Sequence, residues 1–126
     1  MSKIIQAINT MITNSEKISK AIPGPAEGDE IFFLYDQKHK WSITKDQNNN
    51  YYLHYYSDQQ PLESIASYTG PDWDQFTNFI TYSTKDLKTR EAYESMAELY
   101  RVVKEKAYGI DKALDDIIKS KDELPF

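Results

Sequence analysis

The sequence contains no cysteine, and this absence sets the first limits on its chemistry. Disulfides, cysteine-ligated metal sites and thiol redox chemistry are excluded. Because small domains in oxidising compartments often carry disulfides, a chain without cysteine fits the reducing cytoplasm, which is the location we expect. The four glycines are scattered and form neither a phosphate loop nor a dinucleotide fingerprint, so nucleotide enzymes that carry those motifs are not expected.

A long apolar run and a basic patch are also missing. No stretch is long and apolar enough for a transmembrane helix, so we expect no membrane association. The net charge is −5, and the one basic cluster, at 38–40, is too small to hold a phosphate backbone. We therefore expect no nucleic-acid partner. The 126 residues show no repeat and no linker, which indicates a single domain over 1–126.

The chain is rich in tyrosine, with ten residues, and the segment 30–57 concentrates aromatic and β-branched side chains. This composition predicts three strands, over 30–36, 40–45 and 51–57. Short polar links separate them, and the link at 46–50 contains Asn and Asp, which tolerate left-handed backbone angles. The segment therefore predicts an antiparallel meander.

Alternation along the strands divides the predicted sheet into two faces. The core face is expected to hold Phe32, Leu34, Trp41, Ile43 and Leu53, with Tyr51 and Tyr55 as further candidates. The opposite face is expected to hold Ile31, Phe33, Tyr35, Tyr52, His54 and Tyr56. A covering helix is the simpler interpretation of this second face, since apolar residues mostly lie inside. The alternative is an exposed tyrosine-rich platform, because tyrosine is enriched at interfaces.

Helical periodicity flanks the predicted sheet on its N-terminal side and resumes after it. Residues 2–22 are expected to form one amphipathic helix that is capped by Ser2 and ended by Pro23. Pro61 is expected in the first turn of a short helix. The segment 72–83 fits a helix, but its second half is β-prone, so we favour a short helix followed by a fourth strand near its end.

The C-terminal third carries the clearest helical spacing. A helix is expected to begin at Thr89 or Asp86 and to end at Gly109, followed by a second helix capped by Asp111. One long helix that tolerates the glycine, at about 1 kcal/mol relative to alanine, is the alternative. The first helix is expected to bury Tyr93, Met96, Tyr100 and Val103 against the sheet. The second is expected to turn inward Ala113, Leu114, Ile117 and Ile118.

Together these elements predict an α+β fold. It is an antiparallel meander of three to four strands, packed by an N-terminal helix and by C-terminal helices. Strands and helices are segregated along the chain rather than alternating, which argues against a parallel sheet.

Few residues suggest chemistry. His39 lies in a polar turn and is expected to be solvated, whereas His54 lies mid-strand among tyrosines, where a packing role is favoured over a general base. The Asp-Trp-Asp run at 72–74 offers paired carboxylates, but it suits the first turn of a helix equally well. The acidic cluster at 27–30 lacks an EF-hand pattern. We therefore predict no catalytic residue, no cofactor and no metal.

Two hypotheses for function follow. The first is a non-enzymatic protein-binding module of regulatory, adaptor or toxin-neutralising type, whose partner contacts Tyr35, Tyr52, His54 and Tyr56. The alternative is a protein that binds a small ligand or a carbohydrate, with or without catalysis, in an aromatic pocket around Trp41, His54 and Tyr56. The sequence does not decide whether the protein is an enzyme.

Overall fold

A computed structural model of the chain describes residues 2–24, 30–57, 59–67 and 78–120 and shows an α+β fold. The described strands form one antiparallel sheet in which neighbours along the chain are neighbours in the sheet. They are β1 (Ile18–Pro23), β2 (Ile31–Tyr35), β3 (His39–Lys45), β4 (Tyr51–Tyr56) and β5 (Phe79–Ser83). The helices are α1 (Lys3–Thr13), α2 (Leu62–Ser67), α3 (Thr84–Leu87), α4 (Arg90–Tyr108) and α5 (Ile110–Ser120), with a 3-10 turn at Ser15–Lys17. The predicted fold class is confirmed, with more strands than expected.

The two predicted hairpin links are confirmed, and both use left-handed backbone. Asp36 and Gln37 have φ of 54° and 61°, and the N–H of Lys38 donates to the carbonyl of Tyr35 at 3.3 Å. Positive φ at both central residues is the geometry of the tight turn that matches strand twist. In the second link the Asp46 carboxylate accepts the N–H groups of Asn48 and Asn50, each at 2.9 Å.

The prediction of one helix over 2–22 is wrong in its second half. Ser2 caps α1 as expected, but the helix ends at Thr13 and the chain becomes β1. Ile18 and Ile22 have helical spacing, yet β1 bulges between them and Lys20 has φ of 52°. The bulge places Ile18 against one side of the sheet and Ile22 against the other, so their four-residue spacing does not mark a shared face.

The C-terminal helices confirm some predictions and correct others. Thr89 caps α4 through a 3.0 Å bond from the N–H of Ala92, and Gly109 ends it with φ of 64°. Because α5 begins immediately at Ile110, Asp111 lies inside the helix rather than at its cap. The inward orientation predicted for α5 is wrong. The exposed fraction is 41–66% for its apolar side chains Ile110, Leu114, Ile117 and Ile118.

Different helices pack on the two faces of the sheet. We call the side covered by α1 and α4 the α4 face, and the side covered by α2 the α2 face. The core of the α4 face consists of Ile8, Met11, Ile18, Ile31, Phe33, Ile43, Tyr51, Leu53, Met96, Leu99, Tyr100 and Val103. The core of the α2 face consists of Phe32, Tyr56, Leu62, Ile65 and Ala66.

The face prediction for β2 is inverted. Ile31 pairs with Ile43, and Phe33 pairs with Trp41, so these residues share the α4 face. Phe32, which was expected beside Trp41, lies on the α2 face instead. Both sides of β2 are apolar, so alternation within this strand gives no sign of which side meets which layer.

Some predicted features lie outside the described residues. These are the acidic positions 27 and 29, the Asp-Trp-Asp run at 72–74 and the helix expected before β5. The strand expected at the end of 72–83 is confirmed as β5. Within the described ranges, no helix combines the length and apolarity that crossing a membrane requires.

Replacing Tyr100 with alanine tests the packing of α4 on the sheet. Tyr100 is 6% exposed and packs against Tyr51 in a tilted arrangement, with ring centroids 5.6 Å apart. We expect Tyr100→Ala to lower the free energy of unfolding in urea by about 3 kcal/mol, since a large buried side chain leaves a cavity. Tyr108→Ala on the same helix is the control, because Tyr108 is 64% exposed. Coincident melts of Tyr100→Ala and the parent would contradict this packing.

Candidate functional site

The four residues predicted to contact a partner do not form one surface. Tyr35 lies at the end of β2 on the α4 face, whereas Tyr52, His54 and Tyr56 lie along β4 on the α2 face. Tyr56 is 1% exposed. Tyr52 is half-buried, and its hydroxyl donates to the Asp46 carboxylate at 2.9 Å. The partner role itself stays a prediction, but a single flat surface does not contain all four side chains.

A buried chain of hydrogen bonds crosses the α2 face. The hydroxyl of Ser42 donates to the Glu30 carboxylate at 2.9 Å, so the hydroxyl of Tyr56, 2.7 Å away, donates to Ser42. Burial raises the pKa of Glu30 above its usual value, although the bond from Ser42 works against this. Burial also raises the pKa of Tyr56. Both effects favour the neutral forms in this layer.

His54 continues this polar region towards β5. One ring nitrogen, Nδ1, lies 2.8 Å from the hydroxyl of Thr81, and the other, Nε2, lies 4.0 Å from the Glu30 carboxylate. The second distance is too long for a hydrogen bond. Burial therefore dominates and lowers the pKa of His54 to about 4, so the ring is neutral at pH 7. Its ring also meets the ring of Phe79 edge-on, at 5.5 Å between centroids.

The arrangement of Ser42, Glu30 and His54 does not suit nucleophilic catalysis. A catalytic serine gives its proton to a histidine, which a carboxylate orients from behind. Here the carboxylate lies between the serine and the histidine, and it accepts the hydrogen bond of the serine hydroxyl itself. Ser42 is also 0% exposed, so a substrate has no access to it. These contacts indicate that the cluster is a structural hydrogen-bond network.

A concave feature with mainly apolar walls lies on the α4 face, between α1 and the sheet. It is a cleft of about 420 Å³, which we call the aromatic cleft. Its walls are formed by Ala7, Thr10, Met11, Tyr35, His39, Trp41, Tyr55 and Tyr82. Trp41 and Tyr55 meet edge to face at 4.8 Å between ring centroids. His39 lies 3.5 Å from the Tyr55 hydroxyl through Nδ1.

The indole N–H of Trp41 is the unusual group in this cleft. It is buried, and no side chain or backbone carbonyl of the described residues accepts its hydrogen. A buried donor without an acceptor costs about 1–3 kcal/mol. None of the described residues that line the cleft is acidic, lysine or arginine. The cleft therefore combines aromatic walls with a tryptophan whose N–H has no acceptor. This combination suits an uncharged molecule.

The sequence identified Trp41 as a pocket residue but gave it the wrong neighbours. The register pairs Trp41 with Tyr55, and it leaves His54 and Tyr56 on the other side of the sheet. The signal was present in the loop length. A five-residue link at 46–50 places the residues that flank it opposite each other, and counting back from them pairs Trp41 with Tyr55.

No protein-family model, curated protein or solved structure matches the chain. Its function is therefore argued from its own residues. Among the described residues, no group of three or more histidine and acidic side chains is placed to hold a metal ion.

The buried histidine predicts a pH dependence of stability. The pKa of His54 is about 4 in the folded protein and 6.5 ordinarily, so only the unfolded chain binds its proton between these values. The contribution of His54 to the free energy of unfolding is fully present above pH 6.5. It is lost as the pH falls, by about 3 kcal/mol at pH 4. Glu30 has the opposite effect. Because its pKa is raised above the ordinary value of 4.5, protonation of Glu30 stabilises the folded protein as the pH falls towards 4.5.

His54→Gln separates these two contributions. We expect urea melts to show the parent losing more stability than His54→Gln between pH 7 and pH 4, because the variant keeps only the effect of Glu30 and of groups common to both. Parallel stability profiles of the two proteins over this range would show that His54 is not buried as a neutral ring.

Proposed function

We propose that the protein binds a small, uncharged ligand in the aromatic cleft, and that the ligand carries a hydrogen-bond acceptor for the indole N–H of Trp41. The observation that supports this is the buried, unpaired N–H of a tryptophan in the wall of the aromatic cleft. Buried polar groups in folded proteins are normally paired, so an exception calls for a partner. Because the N–H is covered, the ring must rotate slightly when the ligand enters.

The size and lining of the cleft narrow the class of ligand. A volume of about 420 Å³ lies within the range of small-molecule sites. Tyr35, Tyr55 and Tyr82 offer rings for stacking, and their hydroxyl groups offer polar contacts at the ends of those rings. A planar molecule with one or two carbonyl oxygens satisfies both features. Amides and ketones attached to an aromatic ring are the simplest members of this class.

Two other ligand classes fit less well. A carbohydrate stacks on aromatic rings, but each hydroxyl that it buries needs a polar partner. The cleft offers few, chiefly Thr10, His39 and the tyrosine hydroxyls. A quaternary ammonium ion is attracted to ring faces. It has no acceptor, so it leaves the Trp41 N–H unpaired.

Binding of a protein partner is the second proposal. Its motivation was a tyrosine-rich sheet face, and Tyr52 and His54 on the α2 face keep part of their surface exposed. The burial of Tyr56 and the position of Tyr35 on the opposite side weaken that motivation. Ligand binding in the cleft is therefore the function that the geometry supports better.

Titration of four model compounds tests the proposed ligand class. The indole N–H resonance of Trp41 is observed in the ¹⁵N-labelled protein and is assigned by its loss in Trp41→Phe. We expect acetophenone to move this resonance with saturation in the millimolar range, which is typical of a fragment of this size. Ethylbenzene has the same ring without an acceptor and should bind more weakly. Methyl glucoside and tetramethylammonium represent the two less favoured classes.

The matched controls are two variants with opposite expectations. Trp41→Phe keeps the aromatic wall but removes the donor and its resonance, so its affinity is followed by the backbone amide resonances of the residues that line the cleft. Its affinity for acetophenone should fall to that for ethylbenzene. Tyr52→Phe alters the α2 face and should leave binding unchanged. Saturation by methyl glucoside or tetramethylammonium alone would replace the proposed ligand class. If none of the four compounds moves the Trp41 resonance, the cleft is not a site for small ligands.

A further inference from the structure

The hydroxyl group of Tyr55 is only partly used by the protein. Among the described residues its one polar contact is with the ring nitrogen Nδ1 of His39, at 3.5 Å. This distance is longer than the roughly 3 Å at which hydroxyl and imidazole groups normally bond. A phenolic hydroxyl has one hydrogen to donate and lone pairs with which to accept. One long contact therefore leaves at least one of these roles unfilled.

The tautomer of His39 decides which role of the Tyr55 hydroxyl is left over. If Nδ1 carries the hydrogen, it donates to Tyr55, and the tyrosine keeps its own hydrogen for another acceptor. If Nδ1 carries none, it accepts the hydrogen of Tyr55, and the tyrosine oxygen keeps a free lone pair. A hydroxyl group on a ligand can accept in the first case and donate in the second. A carbonyl or ether oxygen suits only the first case, so a hydroxyl is the simplest ligand group that suits both.

The Tyr55 hydroxyl lies near the Trp41 anchor but is displaced from it. Tyr55 and Trp41 are opposite each other on β4 and β3, and their rings meet at 4.8 Å between centroids. The hydroxyl end of Tyr55 is close to His39, which precedes Trp41 by two residues on the same face of β3. Two residues of a strand advance about 7 Å. Groups on opposite sides of one benzene ring can span a displacement of this kind.

Both members of this pair are accessible from the aromatic cleft. His39 and Tyr55 belong to its walls, and each is half-buried rather than enclosed. A ligand hydroxyl that enters the cleft loses contacts with water, and burial of a hydroxyl without a partner is unfavourable. Tyr55 supplies the partner, so the cleft can accept one hydroxyl at this position.

A neutral hydroxyl also fits this position better than a charged group. A carboxylate or a phosphate on the ligand would need cationic partners, and none of the described wall residues is lysine or arginine. An ammonium group would need a carboxylate, and none of these residues is acidic.

We propose that the ligand of the aromatic cleft is a phenol that carries a carbonyl group on the opposite, para, side of its ring. The carbonyl accepts the hydrogen of the Trp41 indole, and the phenol hydroxyl bonds the hydroxyl of Tyr55. This inference rests on the proposed function, because it assumes a ligand in the cleft. Tyr55 is then the residue that selects among planar carbonyl compounds, while Trp41 binds the carbonyl that they share.

Two ligands of nearly equal shape test the contact with Tyr55. 4-Hydroxyacetophenone and 4-methylacetophenone differ in whether the para group can form a hydrogen bond. Each is titrated into ¹⁵N-labelled protein while the indole N–H resonance of Trp41 is followed. We expect the hydroxyl compound to bind about fivefold more tightly, since one net hydrogen bond between neutral groups changes affinity by about this factor. 3-Hydroxyacetophenone should show a smaller gain, because its two groups do not lie on opposite sides of the ring.

Two variants on β4 identify the hydroxyl that is responsible. Tyr55→Phe keeps the ring beside Trp41 but removes the hydroxyl, so the ratio of the two affinities should fall to one or below. Tyr52→Phe removes a hydroxyl from the α2 face of the same strand and should keep the fivefold ratio. The ratio compares two ligands in one protein, so a general loss of affinity does not affect it. The ¹⁵N spectra monitor folding of both variants.

The outcomes separate this inference from the proposed function. Equal affinities for the hydroxyl and methyl compounds in the parent would overturn the inference, and so would a fivefold preference that persists in Tyr55→Phe. In both cases saturation by acetophenone would leave the proposed function intact. A larger gain for 3-hydroxyacetophenone would overturn the para arrangement. If no compound moves the Trp41 resonance, the inference and the proposed function are both wrong.

Discussion

The register of the β2–β3–β4 meander is the constraint on which the rest of the structure depends. Two hairpin turns with left-handed backbone, at Asp36–Gln37 and at Asn49, fix which residues lie opposite each other. A slip by one residue would move every side chain to the other face. It would carry the polar group of Ser42 into the apolar layer under α4, and it would carry Ile43 out of that layer. Burial of these two neighbouring side chains thus favours one register strongly.

The polar chain of Tyr56, Ser42 and Glu30 contributes to specificity more than to net stability. Hydrogen bonds between buried groups add little free energy overall, but breaking one leaves a buried group unpaired. This asymmetry penalises other registers, because the hydroxyl and carboxyl groups meet only in the observed one. Burial also holds His54 neutral beside them. The polar groups of the α2 face therefore help to fix the register, and the aromatic cleft lies on the α4 face.

The sequence predicted the local features of the fold well and its long-range pairing less well. Hairpin links and helix caps depend on a few adjacent residues, so Asp46, Thr89 and Gly109 could be identified directly. The second half of the N-terminal helix was mistaken because Ile18 and Ile22 have a spacing that fits one helix face, although they lie on opposite sides of a bulged strand. The exposure of α5 could not be foreseen, since an amphipathic pattern shows that a face exists and not what covers it. For the cleft, Trp41 was identified, but its neighbours required the register.

Nuclear Overhauser contacts between side chains on adjacent strands measure that register most directly. The account predicts contacts of Ile43 with both Ile31 and Leu53, and contacts between the rings of Trp41 and Tyr55. These contacts place Trp41 beside Tyr55 on the α4 face, in the wall of the cleft. Contacts of Ile43 with the ring of Phe32, together with contacts of Trp41 with Tyr56, would show the alternative register. They would contradict the division of the sheet into two faces, and the cleft with it.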